Sequence, residues 1–177
     1  MNIHQLQVAF DAAEDRVLFR LSTTAGDEFR VFLTRRFVKL LWPHLLHGLE
    51  SKVAVTTAAP EARREVLAFE HDRAIREADF SKPFAEARTE APRNFPLGDK
   101  PFVAAQGNVR VERAGAYKLT LNPAQGRGVE IGLDDRLMHS FCRLLESAVR
   151  TAEWDLELSG RVPEAGAEAV PAAHLLN

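Results

Sequence analysis

Residues 16–49 read RVLFRLSTTAGDEFRVFLTRRFVKLLWPHLLHGL, and this stretch contains two different hydrophobic periods. Apolar and polar residues alternate through residues 16–22 and again through residues 28–33, which is typical of β-strands with one buried face. After Thr34 the apolar residues recur at helical spacing as far as Leu49. We therefore predict two antiparallel strands followed by a helix.

The residues around this stretch complete a first structural unit. Residues 3–10 also alternate, so they add a strand in front and make an antiparallel meander of three strands. Gly26 suits the positive φ of a tight turn, and Thr34 suits the N-cap of the helix. Pro43 lies within the helical pattern, where we expect it to kink or split the helix because it lacks a backbone donor.

The same pattern returns later in the chain, because residues 17–49 match residues 117–149 without a gap. The paired turn glycines and helix caps are Gly26 with Gly126 and Thr34 with Asp134. One such unit buries too little surface to be comfortably stable alone. We predict an α+β fold in which two pseudo-symmetric repeats, each an antiparallel β-meander followed by an α-helix, share one core. The alternative is two unrelated units whose periods coincide.

The predicted organisation is one compact domain with four parts. Residues 1–50 form the first repeat, 51–103 a helical and Pro-rich insert, 104–158 the second repeat, and 159–177 a tail. The insert begins with a predicted helix over residues 60–78. Prolines then prevent a helix, so we expect an extended surface segment whose phenylalanines dock in shallow apolar sites. Those phenylalanines are Phe84, Phe95 and Phe102.

The composition is that of an ordinary globular protein. Apolar residues make up 46% and charged residues 27%, and the formal net charge is −2, which gives no general reason to seek phosphate. No apolar run approaches the roughly 18 residues of a membrane helix, and the N-terminus has no secretory pattern. The single Cys142 excludes a disulfide framework and a cysteine-based zinc site. We expect a cytoplasmic protein that does not bind membranes.

No motif in the sequence points to catalysis. His44 and His47 have the spacing of two metal ligands on one helix face, with Glu50 beyond, but a solvated helix end explains them better. His71-Asp72 resembles a base with an orienting acid, yet no nucleophile motif accompanies it. Phosphate-binding glycine loops are missing from the sequence. We therefore expect no enzymatic activity, no catalytic residues and no cofactor.

The most suggestive pattern is a basic face on the first predicted sheet. From Arg16 to Lys39 the chain has six basic and two acidic residues. Arginines with an aromatic side chain on an open sheet can contact phosphates and stack on bases. The candidate nucleic-acid-binding residues are Arg16, Arg20, Arg30, Phe32, Arg35, Arg36 and Lys39. The alternative is a solvated face, or one that the insert covers.

The tandem meander-plus-helix layout resembles the PUR and Whirly single-stranded nucleic-acid binders. Their repeats have four strands, whereas three are predicted here. The resemblance implies binding of single-stranded nucleic acid. Residues 28–42, EFRVFLTRRFVKLLW, also look similar to uncharacterised bacterial proteins, which implies no activity.

Two functions remain open at this point. The residues favour a non-enzymatic binding or interaction protein, whose partner is another protein or a second copy of the chain. The alternative is a single-stranded nucleic-acid-binding protein of PUR-like or Whirly-like architecture.

Overall fold

The computed structural model describes residues 2–55, 93–113 and 115–158, together with six single residues between 59 and 73. Within these residues the fold is α+β, as predicted. Its elements are β1 (Ile3–Asp11), β2 (Arg16–Thr23), β3 (Glu28–Leu33), α1 (Arg35–Val55), β4 (Phe102–Val103), β5 (Gln106–Arg113), β6 (Ala116–Asn122), β7 (Val129–Asp134) and α2 (Asp135–Thr151).

The strands form two separate sheets. Sheet 1 has the order β1-β2-β3-β4, and sheet 2 has the order β5-β6-β7. Both predicted antiparallel meanders are present, while β4 was not predicted and pairs in parallel with β3. The inward apolar residues of β2, β6 and β7 are buried, which follows from the alternation in the sequence.

The second and third strands of each meander pair in the same register. Val17 lies opposite Leu33 in sheet 1, and Tyr117 lies opposite Leu133 in sheet 2. The first hairpins differ by one residue, because Leu6 faces Leu21 whereas Gly107 faces Leu121. An irregularity in β5 near the hairpin turn accompanies this shift.

Each helix packs against the sheet of the other unit. A Cβ atom added to Gly107 of β5 would lie only 2.7 Å from Cζ of Phe37, so α1 approaches sheet 2 closely. The ring of Phe141 in α2 meets Phe19 of β2 edge-on, with 5.1 Å between centroids. Leu41 of α1 and Phe141 of α2 are both buried. The two units therefore share one core.

The helix starts confirm the predicted caps. The backbone N–H of Phe37 donates to the Thr34 hydroxyl (3.2 Å), and that of Leu137 donates to the Asp134 carboxylate (2.8 Å).

The predicted split at Pro43 is wrong, because α1 runs through it as one helix. Buried apolar residues on both sides of the proline stabilise α1 against the lost hydrogen bond; they are Leu41, Trp42, Leu45 and Leu46.

Part of the insert can be compared with its prediction. Ala62, Val66 and Phe69 belong to the predicted helix 60–78 and are helical, as are Glu65 and Arg73. The rest of that helix, including His71 and Asp72, lies outside the described residues, as do Phe84 and the tail. Phe95 and Phe102 are partly buried; Phe102 lies in β4, whereas Phe95 begins a turn that is closed by a hydrogen bond from the Gly98 N–H.

Candidate functional site

The outer face of sheet 1 carries a buried carboxylate surrounded by three arginines, which we call the Glu28 cluster. Glu28 is only 1% exposed. Its carboxylate accepts hydrogen bonds from Nε of Arg20 (3.1 Å) and Nε of Arg30 (2.7 Å), and also from Arg93. A buried charge is tolerated only when it is paired and hydrogen-bonded, and this one is.

Strand register explains why the cluster forms. Arg20 and Arg30 lie directly opposite each other on β2 and β3, where two like charges would repel. Glu28 is two residues before Arg30 and therefore points to the same face, between the two guanidiniums. Gln7 of β1 adds an acceptor for Arg20 at 3.2 Å. The cluster thus relieves a repulsion that the register creates.

The pKa of Glu28 reflects two opposed effects. Burial alone would raise it, but the hydrogen bond from Arg30, with the charge and hydrogen bond of Arg20 and the hydrogen bond from Arg93, holds the pKa below its ordinary value. Glu28 is therefore ionised at neutral pH, which is the state that the three guanidiniums require.

Residues 93–105, which we call the strap, run along the free edge of β3. At its start, the backbone N–H of Glu28 donates to the Asn94 carbonyl (2.8 Å), and the N–H of Asn94 donates to the Gly26 carbonyl (3.2 Å). The Asn94 side chain donates to the Asp27 carboxylate at 2.6 Å. Arg93 then ties this end of the strap to the Glu28 cluster.

The other end of the strap forms β4 and crosses to sheet 2. Phe102 lies opposite Val31, and the N–H of Ala104 donates to the Phe32 carbonyl at 2.9 Å. The N–H of Ala105 donates to the Asn122 carbonyl of β6 (2.8 Å). The strap therefore fills the edge of sheet 1 and leads directly into β5.

The predicted nucleic-acid-binding residues of sheet 1 lie close together, but other residues of the same chain already contact them. Arg30 donates to the Asp99 carbonyl (3.1 Å), and its guanidinium lies 4.7 Å from the centre of the Phe95 ring. Phe32 is 9% exposed, whereas base stacking requires an accessible ring, and the Arg16 guanidinium lies 5.6 Å from its centre. This half of the candidate surface is closed.

Its other half lies on the first turns of α1 and is exposed. Arg35, Arg36 and Lys39 are all solvent-accessible, and Arg35 donates to the backbone carbonyl of Asp155 at 3.2 Å. His44 and His47, the weak metal candidates, also lie on the exposed side of α1. Among the residues whose structure is described, no group of three or more potential metal ligands occurs.

The outer face of sheet 2, which we call the open face, is largely exposed. Its exposed residues on β5 and β7 are Gln106, Asn108, Arg110, Glu112, Glu130 and Gly132. Lys118 of β6 bridges Glu130 (3.0 Å) and Glu112 (3.7 Å), which also pairs with Arg110. The hydrogen bond from Arg110 is the main cause that lowers the pKa of Glu112.

The nucleophilic groups of the core are poorly placed for chemistry. Cys142 is fully buried, and burial raises the pKa of its thiol. Tyr117 is buried as well and donates to the Asp135 carboxylate at 3.1 Å, while desolvation raises its pKa. Both groups stay protonated at neutral pH and fill the core, where a free cysteine acts as a small hydrophobic residue.

Three features of the site were not predicted: the Glu28 cluster, Arg93 and the pairing of β4. The pairing of Glu28 with Arg30 could have been predicted, because residues two apart on a strand share a face and both lie at outward positions. Arg93 and β4 are distant in sequence and carry no local pattern.

None of the helices in the described part of the chain is long and apolar enough to cross a membrane. The resemblance to PUR and Whirly proteins stays a prediction. No protein-family model matches the chain, and no curated protein or solved structure is significantly similar to it.

Proposed function

We propose that this chain is a non-enzymatic cytoplasmic interaction protein that binds its partner on sheet 2. The observation that carries the proposal is the difference between the two sheets. The chain's own strap occupies the edge of β3, and the outward residues of β2 and β3 are buried or only partly exposed. On the open face most outward residues are exposed, and β7 ends sheet 2 in the described residues.

We further propose that the two units are pseudo-symmetric repeats whose outer surfaces have diverged. The equal register of β2 with β3 and of β6 with β7 supports this, as do the matching turns. Gly26 and Gly126 both adopt positive φ, at 86° and 96°. In this proposal the inner faces keep one shared core, and the first repeat has become structural while the second remains available for binding.

The chemistry of the open face suits recognition of another protein. Its charges occur in both signs and pair with one another, so it has no field of a single sign to attract phosphate. Asn108 and Thr120, which lie opposite each other on β5 and β6, offer uncharged hydrogen-bonding groups at its centre. Protein interfaces commonly combine such polar groups with charges at the rim.

Site-specific photocrosslinking in cells tests the proposal. A photoreactive residue placed at Asn108 should form adducts with a partner, whereas the same residue at exposed Arg143 of α2 should not. A second substitution, Thr120→Arg, should remove the adducts from position 108 without unfolding the chain. Equal crosslinking at both positions, or none at position 108, would contradict the proposed binding surface.

Binding of single-stranded nucleic acid remains a second candidate because Arg35, Arg36 and Lys39 are exposed together on α1. A labelled oligonucleotide titrated at two salt concentrations tests it, because phosphate binding weakens steeply with salt. Alanine at all three positions should abolish the binding, or leave a residual binding whose salt slope is smaller by about 0.7 for each phosphate that the variant no longer neutralises.

A variant of α2 provides the matched control for that titration. Arg136, Arg143 and Arg150 are exposed and carry the same total charge as the three α1 residues. Their replacement by alanine should leave oligonucleotide binding unchanged if α1 is the binding element. Equal reductions of affinity in the two triple variants would indicate non-specific attraction and would remove this candidate.

A further inference from the structure

We infer that the edge of β7 accepts an extended, basic polypeptide of a partner protein as a parallel fourth strand. This inference rests on the proposed function, because it specifies how sheet 2 would hold its partner. Extended peptides commonly add a strand to an exposed sheet edge, where backbone hydrogen bonds provide affinity and side chains provide specificity.

The strap shows how such a strand is held on the equivalent edge of this molecule. It runs parallel to β3, with Phe102 opposite Val31 and Val103 opposite Phe32. Phe102 is partly buried against the core, while Val103 stays 38% exposed on the outer side. A two-residue strand is therefore enough to pair with the edge of β3 when one of its residues turns a large apolar side chain inward.

β7 has the features that β3 presents to the strap. Its inward residues Val129, Ile131 and Leu133 are buried, and their register with β6 equals that of β3 with β2. Within the described ranges, β7 pairs with β6 and with no other strand. The outer edge of β7 therefore rests on a buried apolar row like that of β3, and no strand pairs with it in the described ranges.

Position 132 of β7 is a glycine although neither the backbone conformation nor the packing there requires one. Its φ lies outside the left-handed region, so its backbone does not need glycine. A Cβ atom added there would meet nothing within 4 Å, so packing does not need glycine either. Glycine inside a strand costs stability and often marks a place where another chain approaches closely. The register places Gly132 where sheet 1 has Phe32.

The outward side chains around Gly132 identify the chemistry of the partner. Glu130 and Asp134 flank it on β7, and both are exposed and acidic. Lys118 neutralises part of the Glu130 charge. The Asp134 carboxylate caps α2 through one hydrogen bond from the Leu137 N–H, and it can also meet a partner cation. The matching segment has a bulky side chain over Gly132, Lys or Arg on either side of it, and apolar residues at the inward positions between them.

Peptide selection on the full-length chain tests this inference. Short random peptides displayed on phage are selected on the immobilised protein, and the enriched peptides are measured by fluorescence anisotropy. We expect a basic-apolar-bulky-apolar-basic pattern. Gly132→Trp should weaken binding by about tenfold or more, as disruption at the centre of an interface does. Glu130→Lys should weaken the same peptides, and hydrogen exchange of residues 129–134 should slow on binding.

Asn108→Trp on β5 is the matched control, because it adds the same ring to the open face away from the edge. If it abolishes binding and Gly132→Trp does not, the partner uses the face, so the edge inference fails while the proposed function stands. If no peptide is enriched, or neither variant matters, both fail.

Two further results are decisive. A dimer that forms without peptide and disappears in Gly132→Trp would assign the edge to a second copy and overturn the inference. If Gly132→Trp does not fold, Gly132→Thr combined with Glu130→Lys replaces it, and unchanged affinity in that variant would equally overturn the inference.

Discussion

The outer surfaces of the two sheets differ far more than their inner surfaces. Both meanders turn buried apolar rows toward one core, and β2 with β3 pairs in the same register as β6 with β7. On the outside, sheet 1 has a buried Glu28 cluster and an edge filled by the strap, whereas sheet 2 has exposed, mutually paired charges and a glycine. Inward residues therefore build the shared core, while the outward residues and the strap set how exposed each sheet is.

The carboxylate–arginine ion pairs of sheet 1 and sheet 2 contribute differently to the stability of the fold. The Glu28 side chain is fully buried, while that of Glu112 is 42% exposed. Water screens the second pair but screens the first much less, so removal of a partner matters chiefly in sheet 1. Substitutions in the shared core and in each sheet should reveal this difference.

Truncation of the shared core should destabilise both halves together. We expect Phe141→Ala to lower the free energy of unfolding by about 3–5 kcal/mol and Leu41→Ala by about 2–5 kcal/mol. Each residue packs within the common core, so denaturant unfolding should stay one transition when followed at either sheet. The exposed Ser147→Ala serves as the control. Two separate transitions would show that the sheets have independent cores.

Removal of the buried carboxylate should affect sheet 1 strongly. Glu28→Gln leaves Arg20, Arg30 and Arg93 without their shared anion, and we expect a decrease of about 3 kcal/mol in the free energy of unfolding, measured by chemical denaturation. The matched change in sheet 2, Glu112→Gln, should leave the unfolding curve unchanged because that pair is exposed. Similar decreases in the two variants would contradict the assignment of Glu28 as the structural anion.

The two strand glycines should respond in opposite directions to alanine. Gly107→Ala places a Cβ against the Phe37 ring, so we expect stability to fall by about 1–3 kcal/mol. Gly132→Ala adds a Cβ in open space and should raise stability by about 0.5–1 kcal/mol through lower chain entropy. Thermal denaturation of the two variants measures both. A destabilising Gly132→Ala would indicate that the fold itself needs this glycine.

Lowering the pH should reduce the free energy of unfolding through protonation of Glu28, by less than the substitutions above. The pKa of Glu28 lies below its ordinary value of 4.5 in the folded state. The unfolded chain therefore binds more protons as the pH falls below about 5, and the stabilisation by Glu28 is lost as the pH passes through the folded pKa. The difference in stability between the wild type and Glu28→Gln should shrink from pH 7 to pH 3. A constant difference would show that the pKa of Glu28 is the same in the folded and unfolded states.

The meanders, helix caps and core were predictable because their signals are local. Alternation placed Val17, Phe19 and Leu21 inward, and Thr34 and Asp134 marked the helix starts. β5 begins at Gln106 and includes Gly107, a residue type that normally weakens a strand. Here the Phe37 ring of α1 fills the space that a side chain would take, and such a contact between distant residues leaves no local trace.

The candidate site was harder to predict because it depends on long-range pairing. Arg20 and Arg30 were expected to be accessible cations, yet both bind Glu28, and Arg93 reaches the same carboxylate from far along the chain. The pairing of β4 with β3 was not predictable either, since the two residues of β4 carry no periodicity.

Hydrogen exchange of the two edge strands in the unliganded, full-length protein is the most stringent test of a closed sheet 1 and an open sheet 2. Backbone amides of residues 28–33 should exchange markedly more slowly than those of residues 129–134, because the strap covers one edge and β7 ends sheet 2 in the described residues. The strap variant Arg93→Ala should narrow this difference by speeding exchange in residues 28–33 alone. Equal protection of both strands, or faster exchange in β3, would contradict this division between the sheets.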